Sequence, residues 1–455
     1  MALPGQYAAI AAAIVYVCLL AVIYARRKRW LLYRILSGRK ACICSISILL
    51  FLLLFFGLVP QDGGGNAVST ALGLRAMKRS PLLYLALLFL ATSVTLSAMD
   101  DVCHFRRRHF GATCAHLFLS LILVTGIFTG SSTVRAGLTT RIGESVHTAV
   151  DERGGAPRKL PFELTLKSFD VNDYSSDVAV TWPDGSFFET TISVNHPAKL
   201  DSWRIYQTDY SMDTVTGEFI SRFKCVYAPF SGIYEVTLYL ILISMAAMAF
   251  IAAARPGKRR RYLVSILMFS VFAIICIFRP FVHTEKLLPA LRSPWLVPHV
   301  TAYIFAYTLM GIVTVLAIHL LWRTRRASTS TEGISAAAAT RRPIQPELRL
   351  CDTLVRIGWS FLTIGMAMGA LWAKQAWGDY WTWDPKETWA AVTWLGYLLY
   401  LHLRQGSTGL DGAAVQSGSG RARLALLLFC FLLLQMCWWG VNLLPAAQGF
   451  SLHTY

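Results

Sequence analysis

The chain reads Trp377-Gly-Asp-Tyr-Trp-Thr-Trp-Asp-Pro-Lys-Glu-Thr-Trp389 between two long apolar runs. This stretch holds four tryptophans, and its glycine, aspartates and proline prevent a lipid-facing helix from continuing through it. Tryptophan is enriched where a membrane meets water, because that boundary accommodates both its apolar ring and its N–H group. The stretch therefore predicts a loop at a membrane surface. Such a density of indoles also suits a platform for a large flat ligand.

The composition is typical of a polytopic membrane protein. The chain has 455 residues, of which 55% are hydrophobic and only 15% are charged, whereas soluble domains carry about 25% charged residues. Ten apolar runs are long enough to span a bilayer. They cover residues 8–25, 41–59, 81–99, 111–130, 232–254, 262–278, 297–322, 353–373, 388–403 and 423–444. The first run has no small-residue cleavage site, so we expect a helix rather than a removable signal.

The chain has a net charge of +18, and its basic residues are concentrated in alternate loops. More than half of the 43 basic residues lie at 26–40, 106–108, 255–261, 323–349 and 404–423. By the positive-inside rule these loops are cytoplasmic, so that ten spans place both termini outside. Arg75, Lys78 and Arg79 are an exception, because they fall on the outer side. The basic excess thus orients the protein in a membrane, and it argues against nucleic-acid binding.

One sizeable soluble segment, residues 131–231, is expected outside the membrane. Short stretches rich in Val, Thr, Phe and Tyr alternate there with turn formers such as Asp184-Gly185 and Asn195-His-Pro197. This pattern predicts a small antiparallel β domain. The expected fold class is an all-α polytopic membrane protein of about ten transmembrane helices with this one external, mainly β domain. Its parts are transmembrane helices at 1–130, the β domain at 131–231, a transmembrane hairpin at 232–284 and a second transmembrane domain at 285–455.

The predicted topology sorts the histidines by side. His299, at the outer start of the seventh span, and His453, near the C-terminus, fall on the side of the tryptophan-rich loop. His116 and His402 fall near the inner ends of the fourth and ninth spans. A histidine within a span is energetically costly and marks a functional candidate. Two imidazoles on different helices can ligate one metal from opposite sides, as neutral imidazole ligates haem iron.

Haem is a flat apolar plate edged by two propionates, and the tryptophan-rich loop suits it. Trp377, Trp381 and Trp383 would offer aromatic faces, and nearby cations would meet the propionates. The residues alone leave other interpretations open: interfacial histidines that only form hydrogen bonds, another metal, a quinone or a lipid. His109 and His319 compete with His116 for the inner position. Asp384 and Glu387 suit the N-cap and the acidic first turn of the next helix, which is the preferred interpretation of Glu387.

Residues 377–389 resemble the WWD signature of haem-handling membrane proteins, W-G-x-Y-W-x-W-D-P-K-E-T-W. Downstream, Gly440-Val-Asn-Leu-Leu444 and Gly449-Phe-Ser-Leu-His-Thr-Tyr455 resemble the G-V-N-L-L and G-L-H-S-Y of that family. Upstream, Ser293-Pro-Trp-Leu-Val-Pro-His-Val300 resembles its S-x-W-L-x-x-H-V. Residues 285–455 are thus similar to the CcsA (ResC) component of System II cytochrome c biogenesis.

The first half resembles the partner component, CcsB (ResB). The similar segments are Cys114-Ala-His-Leu-Phe-Leu119, Leu160-Pro-Phe-Glu-Leu-Thr-Leu-Lys-Ser-Phe169, Ile192-Ser-Val-Asn-His-Pro197 and Trp203-Arg-Ile-Tyr-Gln207. With both components in one chain, the sequence resembles a fused CcsBA-type cytochrome c synthase, a thioether-forming haem lyase. Such a protein is expected in the inner membrane of a bacterium, with the WWD loop and both termini on the periplasmic side.

The resemblance implies roles for the matching residues. The external axial ligands of haem b would be His299 and His453, and the transmembrane ligands His116 and His402. The haem platform would consist of Trp377, Trp381, Trp383 and Asp384. The implied partners are apocytochrome c, whose CxxCH motif supplies the nucleophilic thiols, and a thiol–disulfide oxidoreductase that keeps those thiols reduced. The alternatives are a haem exporter or chaperone that serves a separate ligase, and a membrane scaffold without haem.

Overall fold

The computed structural model describes residues 4–61, 66–105, 110–254, 289–329, 334–404 and 418–444. These residues form a helical bundle with one β domain at one end. The helices are α1 (Pro4–Ala25), α2 (Leu31–Leu36), α3 (Gly38–Leu58), α4 (Ala67–Leu72), α5 (Pro81–Cys103), α6 (Phe110–Thr129), α7 (Ser231–Ala254), α8 (Leu296–Thr329), α9 (Ile334–Trp377), α10 (Pro385–Arg404) and α11 (Gly418–Trp438).

Within the described residues, eight helices are long and apolar enough to cross a membrane, namely α1, α3, α5, α6, α7, α8, α9 and α11. They coincide with eight of the ten predicted spans. The predicted span at 388–403 lies inside α10, a 20-residue helix that does not reach the same hydropathy. Helix α10 packs against α3 and α11 and buries Trp389, Val392 and Tyr397, so much of its surface faces protein rather than lipid. The predicted span at 262–278 lies outside the described residues.

Between α6 and α7 the chain forms the predicted β domain. Its antiparallel strands are β1 (Val134–Arg141), β2 (Ser145–Asp151), β3 (Pro157–Asp170), β4 (Ser175–Thr181), β5 (Phe187–Ser193), β6 (Ala198–Leu200), β7 (Trp203–Met212) and β8 (Phe219–Tyr227). They are ordered β5-β4-β3-β2-β1-β8-β7-β6. Strand β5 also contacts β6 and β7, so the sheet curls into a nearly closed barrel. Alternate residues such as Leu164, Ile205 and Phe223 fill its interior.

The connection of the β domain to the bundle fixes which helix ends lie together. Helix α6 ends at Thr129 just before β1, and α7 begins at Ser231 just after β8. The loop 378–384, between α9 and α10, contacts the same domain through Asp379. The tryptophan-rich loop and the β domain therefore share one end of the bundle, as the topology predicts.

Candidate functional site

The WWD loop, residues 378–384, leaves α9 through a glycine that no other residue replaces without strain. Gly378 has a φ of +86°, in the left-handed region that favours glycine. A Cβ on Gly378 would lie 2.9 Å from Cε2 of Tyr206 and 3.1 Å from a methyl of Val226. The backbone of the loop therefore lies directly against strands β7 and β8.

At its other end the WWD loop begins α10 with a capping box. Asp384 is the N-cap, and its Oδ1 accepts the backbone N–H of Lys386 at 2.8 Å. Glu387 reaches back, and its Oε2 accepts the backbone N–H groups of Asp384 at 3.2 Å and of Thr382 at 2.7 Å. Pro385 occupies the first helical position, where its missing N–H costs nothing. The interpretation of Glu387 as a helix-start residue is confirmed, and Asp384 shares that role.

The aromatic rings of the loop form two pairs. The Trp381 and Trp383 rings meet edge-on, with centroids 5.8 Å apart, and Trp383 has a φ of +59°, a strained value for a bulky residue. The Trp377 ring stacks on Trp372 at 6.1 Å. Nε1 of Trp381 is buried and has no hydrogen-bond acceptor among the described residues. A buried donor of this kind suits a ligand that brings its own acceptor.

His299 lies at the start of α8, pressed against α9. Its Nδ1 lies 2.9 Å from the carbonyl oxygen of Gly365. One turn further along α9, a Cβ on Gly369 would lie 2.8 Å from Cε1 of the His299 ring, so only glycine leaves room for the imidazole. The ring also meets Tyr303 edge-on at 4.8 Å and Trp372 at 5.8 Å. Trp372 thus lies between His299 and Trp377, the first tryptophan of the WWD segment.

The hydrogen bond of His299 selects one form of its ring. A carbonyl oxygen only accepts, so Nδ1 carries the hydrogen and Nε2 of the neutral ring carries the lone pair. Metal-ligating histidines commonly donate their second N–H to a carbonyl or a carboxylate in this way. The hydrogen bond to Gly365 thus makes Nε2 the lone-pair nitrogen of the neutral His299 ring. The predicted second outer ligand, His453, lies outside the described residues.

The predicted inner pair lies at the end of the bundle opposite the β domain. Nδ1 of His116, on α6, lies 2.7 Å from Oδ2 of Asp101, at the end of α5. Nδ1 of His402, on α10, lies 2.9 Å from the carbonyl oxygen of Leu398. Both partners accept, so both rings present Nε2 as the lone-pair nitrogen. His116 lies near enough to His402 to interact with it electrostatically.

His109 and His319 are the alternatives to His116 as the partner of His402. His319 is exposed on α8, and its ring contacts Trp322 one turn later on the same helix. His109 lies outside the described residues. Among the described histidines, His116 is the one with an electrostatic interaction with His402.

The inner pair lies far from the WWD loop. Helix α10 begins at this loop and carries His402 near its other end, roughly 25 Å away at about 1.5 Å per residue. His116 lies near the start of α6, about 20 Å from the β domain by the same rise. The molecule thus holds two histidine sites at opposite ends of one bundle.

Asn195, in the turn between β5 and β6, connects the β domain to the segments around His299 and the WWD loop. Asn195 has a φ of +70° and is almost fully buried. Its side-chain N–H₂ donates to the carbonyl oxygens of Pro289 at 3.0 Å and Ala290 at 3.3 Å, in the segment before α8. The backbone carbonyl oxygen of Asn195 accepts a hydrogen bond from the side-chain amide of Gln375, near the end of α9, at 2.9 Å. One β-domain residue therefore joins the segments that carry His299 and the WWD loop.

Asp379 makes a second contact between the WWD loop and the β domain. Its Oδ1 accepts from Nε of Arg135 at 2.7 Å, and its Oδ2 lies 2.8 Å from Nζ of Lys224. Burial raises the pKa of Asp379, but the nearby charges of Lys224 and Arg135 outweigh it and hold the pKa below its ordinary value. The carboxylate is therefore ionised at neutral pH.

Sequence reasoning missed Asp101, Asp379, Trp372 and the two glycines that contact His299 and Tyr303. Asp101 ends a helix in a polar context, and Asp379 occupies the variable position of the WWD signature. Neither position has a local pattern that indicates its partner. The spacing Gly365-x-x-x-Gly369 was the one available signal, because small residues four apart allow close helix contact in membranes.

Comparison with known proteins identifies two regions. The family described as Cytochrome C assembly protein matches residues 230–447, and the ResB-like family matches residues 105–241. The chain is similar to the cytochrome c biogenesis protein CcsA of Thermosynechococcus vestitus, with 31% identity over 265 residues that cover 50% of this chain and 79% of the relative. It is similar to the CcsA of Lotus japonicus, with 31% identity over 284 residues that cover 53% of this chain and 82% of the relative. The chain therefore belongs to the CcsA family of cytochrome c biogenesis proteins, with a ResB-like region ahead of it in the same chain, as in a fused CcsBA System II protein.

Proposed function

We propose that this cytochrome c biogenesis protein carries haem across a bacterial inner membrane and attaches it to the CxxCH cysteines of apocytochrome c. The main support is the common orientation of three histidines. Each of His116, His402 and His299 engages Nδ1 with an acceptor and so presents Nε2. The inner pair and His299 stand at opposite ends of the bundle, which suits reception of haem on one side and attachment on the other.

The inner site would receive haem b from the cytoplasmic side. His116 and His402 come from α6 and α10, which belong to the two halves of the chain. Two imidazoles on different helices suit the two axial positions of haem iron. Asp101 would orient His116 and raise the basicity of its Nε2.

The outer site would present haem to the apocytochrome. His299 and His453 would be the axial ligands, on a platform that includes Trp377, Trp381 and Trp383. The buried N–H of Trp381 would find an acceptor in a haem propionate. Asp384 would contribute indirectly, because its N-cap fixes the end of the loop next to Trp383.

The chain need only orient the reactants. The two thiols of the apocytochrome would add across the two haem vinyl groups. In each addition the sulfur bonds one vinyl carbon and the thiol hydrogen is delivered to the other, so no net oxidation or reduction occurs. The nucleophiles belong to the substrate, and proximity and orientation supply the acceleration. A separate thiol–disulfide oxidoreductase would keep the thiols reduced, and the histidine of CxxCH would then replace an outer ligand and release the product.

Expression in a host stripped of its own cytochrome c maturation system, with a reporter cytochrome, tests this proposal. We expect a Soret band in the purified protein and covalent haem in the reporter. Haem that copurifies while the reporter stays apo would instead indicate a haem exporter or chaperone that serves another ligase. A purified protein without a Soret band would contradict both functions. The contact between the β domain and the WWD loop favours the synthase, because it builds the ResB-like half into the outer site.

A further inference from the structure

The WWD loop is attached to the β domain by a buried ion cluster. The Asp379 side chain is only 10% exposed and lies between two cations, Arg135 on β1 and Lys224 on β8. Glu152 lies 3.7 Å from Lys224 and adds a second anion to the cluster. The cations come from adjacent strands that pair in register, so the sheet itself fixes their separation.

Asp379 is part of the WWD loop itself, so the ion cluster constrains the position of the loop. Asp379 follows Gly378, whose backbone lies against Tyr206, and precedes Tyr380. The Tyr380 hydroxyl donates to the carbonyl oxygen of Ser231 at 2.8 Å, and its ring stacks on Tyr234 at 5.4 Å. Trp381 follows immediately. A shift of Asp379 would therefore move Trp381, a residue of the proposed platform, with it.

We propose that Arg135, Lys224 and Asp379 form an interdomain link through which the ResB-like β domain positions the WWD loop for haem attachment. This inference rests on the proposed function, and its residues are positioning residues, since none of them contacts the reacting atoms. Asp379 occupies an unspecified position of the signature, so the signature itself does not account for this residue.

The charges that each substitution leaves in the cluster predict how strongly it weakens the link. Asp379→Asn leaves the more exposed Glu152 as the remaining anion beside Arg135 and Lys224, so repulsion between the two cations adds to the lost contacts. Lys224→Gln and Arg135→Gln each retain one cation for Asp379 and should have smaller effects. Asp379→Glu keeps the charge and should recover most of the wild-type behaviour. The matched control is Asp209→Asn, which breaks the exposed Asp209–Arg222 pair of the same β domain.

Hydrogen–deuterium exchange of the full-length protein tests the link independently of haem chemistry. Asp379→Asn should accelerate exchange in residues 378–384 and in β1 and β8, whereas Asp209→Asn, whose partner Arg222 lies on β8, should leave residues 378–384 and β1 unchanged. The same proteins, expressed with the reporter cytochrome, should retain haem at the inner histidines. Covalent attachment by Asp379→Asn should fall by about 10- to 100-fold, the cost expected of a misplacement of about 1 Å.

The outcomes separate this inference from the proposed function. If the wild-type protein attaches no haem, the proposed function fails while the exchange result still decides whether the link exists. Unchanged exchange in Asp379→Asn overturns the link, and so does accelerated exchange with undiminished attachment. If Asp379→Asn does not fold, Lys224→Gln and its rescue by Lys224→Arg decide in its place. Equal attachment by Lys224→Gln and wild type would then overturn the proposal.

Discussion

Nδ1 of His116 lies 2.7 Å from Oδ2 of Asp101, and this contact joins the start of α6 to the end of α5. A carboxylate in this position fixes the ring and increases the electron density at Nε2. Removal of such a partner typically costs 10- to 100-fold in metal affinity. If His116 is an inner haem ligand as proposed, Asp101 is a positioning residue of that site, which would not touch the haem itself.

We expect Asp101→Asn to weaken haem binding at the inner site by about 10- to 100-fold while the protein stays folded. Titration of haem into the purified protein, followed at the Soret band, measures this change. Asp100→Asn is the matched control, because Asp100 pairs with the exposed His104 instead. Equal affinities in Asp101→Asn and wild type would remove Asp101 from the site.

His299→Ala should abolish covalent attachment and change the outer-site spectrum, since an axial ligand is lost. Added imidazole should partly restore the spectrum by occupying the vacated coordination position. His319→Ala is the control, because that ring is exposed on the same helix. A His299→Ala protein that attaches haem normally would show that the outer ligand is another residue.

Gly369→Ala tests the packing of the His299 ring against α9 without altering the histidine. The added methyl would lie 2.8 Å from Cε1 of the ring and displace it from the Gly365 carbonyl. Helix propensity alone favours alanine over glycine by about 1 kcal/mol. Attachment should therefore fall while the thermal stability of the protein changes little. Gly311→Ala, on α8, has open space around its Cβ and should leave both properties unchanged.

Glu387→Gln should retain attachment, since an amide oxygen can accept the N–H groups of Thr382 and Asp384 as the carboxylate does. Glu387→Ala removes the acceptor and should destabilise the start of α10 by about 1 kcal/mol, with reduced attachment. The rate of attachment in the two variants distinguishes helix capping from acid–base chemistry. Loss of activity in Glu387→Gln would indicate that the charge itself is required.

The docking of the β domain should tolerate mild acid. The folded pKa of Asp379 lies below its ordinary value of 3.8, so its ionised form stabilises docking at all pH values above that. This stabilisation is lost only as the pH falls through the lower folded value. Hydrogen exchange of residues 378–384 should show no increase attributable to docking between pH 8 and about 5. In Asp379→Asn, exchange should be faster across that whole range.

The sequence predicted the β domain from the apolar alternation that lies within β3, β4, β5 and β7. Strands β1 and β2 lacked this signal, because their buried positions hold small or polar residues such as Ala136, Thr140 and Ala149. The helices were predictable because length and hydropathy are local properties. The partners of Asp379 were not, since Arg135 and Lys224 lie 244 and 155 positions away in the chain. Contacts at such separations depend on the folded sheet.

The fusion of the two regions changes what the interdomain contacts must achieve. The two family matches overlap at residues 230–241, in the first half of helix α7, so the ResB-like and CcsA-like regions share part of one element instead of being joined by a free linker. Two separate proteins would have to find each other by diffusion and would need an extensive interface. Tethering replaces that encounter with an effective concentration on the order of millimolar. A few polar contacts, such as those of Asn195 and Asp379, can then keep the halves aligned at a fixed one-to-one stoichiometry.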